Sequence, residues 1–347
     1  MNYELKYMQR CLQLAQYGNG YVAPNPMVGA VLVCDDEIIG EGFHHRFGEP
    51  HAEPNAISSV KNPDLLKQST LYVNLEPCSH YGQTPPCADL IVKSNIPRVV
   101  IGTLDPNPKV AGRGVEILRK AGIEVTVGVL IEECRELNKR FFIFQEQKRP
   151  YVLLKWAQTQ DGFIDRKRDD ATEPPLQISN AITKQLTHRM RSENQAIMVG
   201  ANTVLLDNPT LTVRNWSGKS PIRIAIDRLA RIPANYNLLD GSVPTIVFTE
   251  IEKPNRTRVE FIKIDFETDK LRNILQKIYE RNIHSVMVEG GAQILTGFIQ
   301  SGLWDEANVE VSLQQIGDGV AAPVLPVQPI SRKSFDDHDW LFYKNKR

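Results

Sequence analysis

The chain has 347 residues, 41% hydrophobic and 24% charged, an ordinary globular composition at a length that favours two hydrophobic cores over one. Lys plus Arg and Asp plus Glu each total 41, and the balance holds on both sides of Pro150, with 16 basic and 17 acidic residues through it and 25 and 24 after it. Neither half has the basic excess of a nucleic-acid binder and no run nears the ~18 apolar residues of a membrane span, so the reading has no nucleic-acid and no membrane partner.

Leu5, Met8, Cys11, Leu12 and Ala15 recur at three- and four-residue steps, which predicts an amphipathic helix ending near Gly18 rather than the apolar core of a signal peptide. Five cysteines behind such a start do not suggest a disulfide framework, and a cytoplasmic location is expected. VGAVLVCDDEIIGEGFHH reads as a β-hairpin turning at Asp35-Asp36, and HAEPNAISSV as a helix with Pro54 in its first turn, where a missing N–H is harmless. TLYVNLEPC is a strand running into a loop, and CADLIVKSN a helix starting at its cysteine. RVVIGTLDP, GVEILRKAG and EVTVGVL follow as strand, helix and strand, and EECRELNKRFFIFQEQ as one helix. This alternation predicts an α/β domain over 1–147.

Past Lys148-Arg149-Pro150 a second α/β series predicts a domain over 151–347. Its strands are YVLLKWAQ, AIMVG, IRIAID, TIVFT, EFIKID, SVMVEGG and NVEVSLQ, and its helices TKQLTHRMRSE, KLRNILQKIYERN and AQILTGFIQSG. RKRDDATEPP is a loop, and VGANTVLLDNPTLTVR reads as strand–loop–helix.

The chemistry concentrates in His51-Ala52-Glu53 and in Cys78 and Cys87. Zinc takes imidazole and thiolate ligands tetrahedrally, and a catalytic site uses three protein ligands and leaves the fourth corner to water, whose pKa falls toward ~7. His51, Cys78 and Cys87 are the ligand set for one Zn2+. Glu53, two residues beyond the histidine, is the unligated carboxylate that carries a proton from water to a leaving amine. Cys87 at a helix start gains thiolate stability from the helix dipole. The set matches the H-x-E…P-C-x-x-C signature of zinc nucleobase deaminases, except that eight residues separate the cysteines instead of two. A closed structural zinc site would need a fourth ligand that the pattern lacks. Cys11, Cys34 and Cys134 are read as packing residues. His44, after a strand leading to the site, and His80, inside the cysteine loop, are candidates for substrate contact and not for metal ligation.

EPCSHYGQTPPCADLI, with PNPMVGAVLV, GEPHAEPNAI and LDPNPKVAGRGVEILRKAGIEVTVGVL, resembles the bifunctional riboflavin-biosynthesis deaminase/reductase family, RibD, from residue ~3 to about 325. The resemblance implies an N-terminal cytidine-deaminase-like α/β/α domain that removes the 2-amino group of 2,5-diamino-6-(5-phosphoribosylamino)pyrimidin-4(3H)-one. It implies a C-terminal dihydrofolate-reductase-like α/β domain that reduces the ribosyl group to ribityl with NADPH, and a homodimer or higher homo-oligomer. It makes Asn25, Asp105 and Asn107 contacts to the small-molecule phosphoribosylaminopyrimidine substrate.

Read by residues alone, Gly290-Gly291 before a helix is either a structural turn or a phosphate cradle, and Thr203, Asp207 and Arg214 are caps and a solvated charge. The resemblance instead places Ala157, Thr203, Asp207 and the turn of Gly291, Ala292, Gln293, Ile294, Leu295, Thr296 and Gly297 at NADPH. It places Arg191, Leu211, Arg214 and Glu289 at the reductase substrate; Lys155 is a further candidate there. The chain departs from the family at Gln83, where a cation would face the substrate phosphate, and at Pro54. It departs again at Pro175 and Gln177, which stand where a substrate-contacting serine and a cofactor-contacting tryptophan are usual. Those losses leave an alternative, a deaminase whose C-terminal domain is a non-catalytic nucleotide-binding or dimerising module. Arg228 is a candidate partner for the cofactor's 2′-phosphate.

Overall fold

In the computed structural model, which describes residues 3–79, 85–107 and 111–345, the apolar stripe of the first segment becomes α1 (Tyr3–Gln16). Of the face the spacing marked out, Met8, Cys11 and Ala15 are buried, Leu12 is half-buried and Leu5 is exposed, and Tyr7 and Leu14 complete the buried side. The chain divides into two compact units, Met1–Lys148 and Arg149–Arg347. No helix among the described residues is long and apolar enough to cross a membrane.

The first unit continues with β1 (Gly29–Cys34), β2 (Glu37–Phe43), α2 (Ala52–Ser58), β3 (Thr70–Leu75), α3 (Cys87–Lys93), β4 (Arg98–Thr103), α4 (Arg113–Lys120), β5 (Glu124–Val127), α5 (Ile131–Leu137) and α6 (Lys139–Gln147). Among the described residues the strands form one sheet in the order β2-β1-β3-β4-β5. β1 pairs antiparallel with β2 and β3, and β3, β4 and β5 run parallel. The period-2 geometry of a strand sends alternate residues to opposite faces. Ala30 and Leu32 accordingly join Ala52, Ala56, Ala88, Ile91, Val115 and Leu118 of α2, α3 and α4, while Val31 and Val33 join Tyr7, Met8, Cys11, Leu14 and Cys134 of α1 and α5. The result is an α/β/α sandwich.

One feature of this layering sets the position of α2. A Cβ at Gly42 would lie 2.3 Å from the Ala56 nitrogen and 2.6 Å from the Ala52 carbonyl oxygen, so the helix rests directly on the backbone of β2. EECRELNKRFFIFQEQ, expected as one helix, is two. Asn138 between them is buried with φ −103° and ψ 21°; its Oδ1 accepts from Met27 N at 2.8 Å and its Nδ2 donates to Met27 O at 2.9 Å. An asparagine engaged with a distant backbone segment competes with helix continuation.

In the second unit all seven expected strands form: β6 (Tyr151–Gln158), β8 (Ala196–Gly200), β9 (Ile222–Ile226), β10 (Thr245–Thr249), β11 (Val259–Lys263), β12 (Ser285–Glu289) and β13 (Glu306–Ser312). A short β7 (Phe163–Asp165) pairs with β14 (Val320–Ala321). The helices are α7 (Ala181–Ser192), α8 (Ala201–Asp207), α9 (Lys270–Glu280) and α10 (Ala292–Gln300). The main sheet runs β11-β10-β9-β8-β12-β6-β13, parallel throughout, and its apolar runs are buried on both faces as parallel strands require. Two expectations are corrected. α8 follows β8 directly, Gly200 serving as N-cap, so the strand–loop–helix reading of VGANTVLLDNPTLTVR becomes strand–helix–loop. The sheet also does not end at β13: a hairpin of β15 (Ser331–Phe335) and β16 (His338–Lys344), turning at Asp336-Asp337, adds two antiparallel strands.

Replacing Gly42 by alanine should destabilise the first unit by about 1–3 kcal/mol, because helix and sheet must separate to admit a methyl. Denaturant unfolding of the variant against the parent checks this; an unchanged first transition would show that α2 does not depend on the contact.

Candidate active site

Three local structures deliver the first site. β2 and its following loop bring His44 and His51, with His51 the N-cap of α2 at φ −70° and ψ 175°. Cys78 lies just beyond β3, and Cys87 is the first residue of α3. The His51 Nδ1 is 3.6 Å from Cys78 Sγ and 3.4 Å from Cys87 Sγ. Offering one ligand atom each, the three residues place those atoms within 4.8 Å of one another, and this is the group among the described residues that could hold a metal ion. Pro54 lies in the first turn of α2 and leaves the helix start intact.

The electrostatics follow from this crowding. The hydrogen bond with Cys87 and the contact with His51 pull the Cys78 thiol down to about 4, while that same bond and burial push Cys87 up. Cys78 in turn raises His51. Glu53 is 3% exposed, and burial with the nearby Cys78 charge lifts its carboxyl to about 7. Its Oε2 is a buried oxygen without a hydrogen-bond partner. A buried carboxylate oxygen left unpaired is costly unless a ligand engages it. Two soft sulfurs, an imidazole nitrogen and a carboxylate with one unpartnered oxygen beside them fit a zinc ion with one open coordination corner.

Around this centre, His44 is buried with Nδ1 3.0 Å from Pro50 O and Nε2 3.1 Å from Asn25 Nδ2. A carbonyl only accepts and an amide NH2 only donates, so the proton sits on Nδ1 and Nε2 accepts. Burial holds the ring's pKa below the ordinary histidine value. His44 meets His51 edge-on at 5.3 Å between ring centroids. Asn25 belongs to a loop fixed by two buried amides, Asn138 at Met27 and Asn74, whose Oδ1 accepts from Gly29 N at 2.8 Å. On the other side, Asp105 accepts from Asn107 N at 2.7 Å, and burial raises its carboxyl to about 6. That loop is anchored by buried Glu76, which accepts from the backbone nitrogens of Asp105, Gly112 and Val115. Neither Asn74, Asn138 nor Glu76 was singled out from the sequence; a polar residue inside an apolar strand, as in YVNLE, is the signal. Cys11, Cys34 and Cys134 are buried and free, in keeping with packing roles. His80 and Gln83 lie outside the described residues.

In the second unit the candidate residues gather at the C-terminal ends of adjacent parallel strands, the usual place for a ligand crevice in an open α/β sheet. Lys155 on β6 faces Glu289 on β12 and Asn308 on β13 in register, and Ala157 faces Glu310. Arg191 from α7 grips Glu289 with two hydrogen bonds of 2.8 Å and donates to Thr212 O at 3.1 Å. Burial alone would raise the Glu289 carboxyl, but Arg191 holds it below the usual range. Arg214 donates its backbone N–H to His188 Nδ1 at 3.0 Å and its guanidinium to Thr210, and Leu211 beside it is buried at φ 53°. Thr203 lies against the turn: a Cβ on Gly291 would sit 3.2 Å from its hydroxyl, and Gly290 and Gly291 both have positive φ.

Other assignments look different in three dimensions. In α10, Gly291 is the N-cap and Gln293 is exposed, Ala292, Thr296 and Gly297 are half-buried, and the side chains of Ile294 and Leu295 pack into the core, so those two can offer a ligand backbone only. Asp207 is taken by Arg168, at 2.5 Å, which also bonds Asp165 and the Glu173 carbonyl. Arg228 bridges Glu250 at 2.9 Å and Glu267 at 2.6 Å, so its charge is already matched. Pro175 and Gln177 are exposed, Gln177 bonding Lys184, and neither forms part of the Lys155–Glu289–Arg191 cluster.

Loss of Arg191 should strand the Glu289 carboxylate. Arg191→Met is expected to cost the second unit about 3 kcal/mol near neutral pH. Because the folded pKa of Glu289 is depressed, the pair stabilises above the ordinary carboxylate range and its contribution is lost as pH falls through the lowered value. Unfolding of parent and variant over a pH series should show their gap closing toward acid; a pH-independent gap would mean the loss is packing alone.

Comparison with known proteins agrees with both halves of this geometry. The family model for the cytidine and deoxycytidylate deaminase zinc-binding region matches residues 1–103, and that for the RibD C-terminal domain matches residues 150–331. The riboflavin biosynthesis protein RibD of Aquifex aeolicus is 43% identical over 329 residues, 93% of this chain and 91% of the relative. A solved diaminohydroxyphosphoribosylaminopyrimidine deaminase/5-amino-6-(5-phosphoribosylamino)uracil reductase from Thermotoga maritima superposes with a TM-score of 0.89 at 39% identity, covering 99% of both chains. An Acinetobacter baumannii RibD structure gives 0.88 at 31% identity, again covering 99% of both. A cytidine-deaminase-like unit followed by a dihydrofolate-reductase-like one, with these relatives along nearly its whole length, makes this chain a member of the RibD family of bifunctional deaminase–reductases of riboflavin biosynthesis.

Proposed function

We propose that residues 1–147 hydrolyse the 2-amino group of 2,5-diamino-6-(5-phosphoribosylamino)pyrimidin-4(3H)-one, and that residues 151–347 then reduce the ribosyl chain of the product to ribityl with NADPH. The observation that carries the first step is the meeting of His51, Cys78 and Cys87 beside the unpaired Oε2 of Glu53. His51, Cys78 and Cys87 would hold one zinc ion, which when bound supplies the Lewis acidity that lets water attack an amidine carbon at neutral pH. Glu53 takes the proton from that water and returns it to the departing amine, so ammonia leaves neutral. Neutral His44 keeps Asn25 in place through the fixed tautomer, and Asn25, Asp105 and Asn107 contact the substrate, with His80 assigned to the same surface.

For the second step, Arg191, Arg214 and Lys155 supply cationic and hydrogen-bonding groups suited to a phosphate monoester and ribosyl hydroxyls, with Glu289 and Leu211 shaping the pocket. Ala157, Thr203, Asp207 and the Gly291–Gly297 turn are the proposed NADPH contacts; the cofactor carries the redox chemistry and the protein orients it. Pro175 and Gln177 are exposed and lie outside the Lys155–Glu289–Arg191 cluster on which this reading of the reductase half rests. A homodimer or higher homo-oligomer is the proposed assembly.

Product mass after incubation with the diaminopyrimidine, with and without NADPH, tests the pair of reactions. Deamination adds about one mass unit and reduction about two more, the latter only with NADPH. Glu53→Gln should retain zinc and reduction of pre-deaminated substrate while losing about 100- to 10,000-fold in deamination. Undiminished deamination in that variant would remove Glu53 from the mechanism.

A further inference from the structure

We propose that Glu310 is a positioning residue of the reductase half: it fixes the Lys155 ammonium at the end of the central strands, and the C-terminal hairpin completes its setting. Glu310 is fully buried in the middle of β13, on the strand that pairs with β6. Its Oε2 is 3.5 Å from the Lys155 Nζ and accepts from Ser179 Oγ at 2.7 Å. The register sets Glu310 opposite Ala157 and Asn308 opposite Lys155, so Glu310 and Lys155 project from the same face as diagonal neighbours. Glu310 and Lys155 are each at most 5% exposed, so the pair meets where water scarcely reaches and the geometry of each depends on the other.

Two elements close over this pair. His338, buried at the start of β16, places Nε2 3.8 Å from Glu310 Oε1 while that nitrogen donates to Ile178 O at 2.7 Å. Asn180, the N-cap of α7, meets His338 Nδ1 at 3.0 Å. Segment 178–180 and β16 thus form one polar wall behind Glu310. The family-model match ends at residue 331, so β16 lies beyond it. Glu310 Oε1 has no hydrogen-bond partner, so Oε2, bonded by Ser179 and facing Lys155, is the oxygen that sets the carboxylate's orientation. On β12, on the other side of Lys155, both oxygens of Glu289 accept from the Nε and Nη2 of Arg191, whereas Glu310 is the carboxylate that forms an ion pair with Lys155. With Glu310 in place the ammonium is held over the strand ends; without it, a buried lysine would lose its counter-charge and its fixed direction.

This inference rests on the proposed contact of Lys155 with the reductase substrate, and the test separates the two. In the full chain, NADPH oxidation with deaminated substrate is measured for Lys155→Met, Glu310→Gln and the double variant, with deaminase turnover and the melting transition as folding controls. Glu310→Gln keeps shape and can still accept from Ser179, so it removes charge alone. The expected result is that each single variant raises the KM for the pyrimidine about tenfold with the NADPH KM changed less than about twofold, and that Glu310→Gln adds less than about twofold once Lys155 is already methionine. Glu310→Asp, which restores the charge, should recover part of the loss. A weakened Lys155→Met beside an unaffected Glu310→Gln, or single effects that multiply in the double variant, would overturn the role of Glu310. An unaffected Lys155→Met would overturn the substrate contact and the proposal with it. If Glu310→Gln melts before assay, the double variant, which leaves no unpaired charge, is compared with Lys155→Met in its place; a multiplied loss there overturns the proposal.

Discussion

Two sulfurs and an imidazole nitrogen pressed within 4.8 Å in a largely buried space form an arrangement that a chain does not adopt for packing alone. They come from segments 27 and 36 residues apart in sequence, and the fold of the first unit brings them together. Gly42 lets α2 settle on the sheet so that His51 arrives at the right depth; β3 ends where Cys78 must stand; α3 begins on Cys87. Glu53 sits on the same helix start as His51, close enough to feel the sulfur charge and buried enough to be left with an unpaired oxygen. The backbone amides of Asn74 and Asn138 are not involved; their side chains are, and they tie the Asn25 loop to the strand and helix that frame the centre.

The second unit solves a different problem with related physics. Here the charges belong to side chains, and buried carboxylates fix cations at the sheet's C-terminal edge: Glu289 holds Arg191 in a two-pronged bond, and Glu310 faces Lys155. Arginine suits the first pairing because its planar fork matches a carboxylate, whereas lysine is a point charge that must be aimed by its surroundings. That difference explains why the lysine has a wall of Ser179, Asn180 and His338 behind its partner.

Much of this was legible in the residues. The strand and helix alternation follows from periodicity, because buried parallel strands and amphipathic helices leave different spacings. The grouping of His51, Cys78 and Cys87, which could hold a metal ion, was expected from their places before or at helix starts, with Glu53 beside them. What escaped was set by tertiary contacts. Asn138 breaks a helix that its neighbours favour because its amide is claimed by Met27, 111 positions away. Glu310 looks like a solvent-facing residue of an alternating strand, but it is fully buried, with Ser179, Lys155 and His338 of the added β16 against its carboxylate. Arg168, in the stretch read as a polar loop, turns inward to bind Asp165 and Asp207. Arg228 shows the converse: a cation well placed in sequence for an anionic ligand, already matched by two glutamates in space.

The most direct test of the account is X-ray absorption at the zinc edge of the purified protein, which reads the donor set without reference to activity. The account requires two sulfur scatterers at about 2.3 Å, one imidazole nitrogen and one further light atom at about 2.0–2.1 Å. A shell of four sulfurs, or of nitrogen and oxygen alone, would contradict it and dissolve the hydrolytic site.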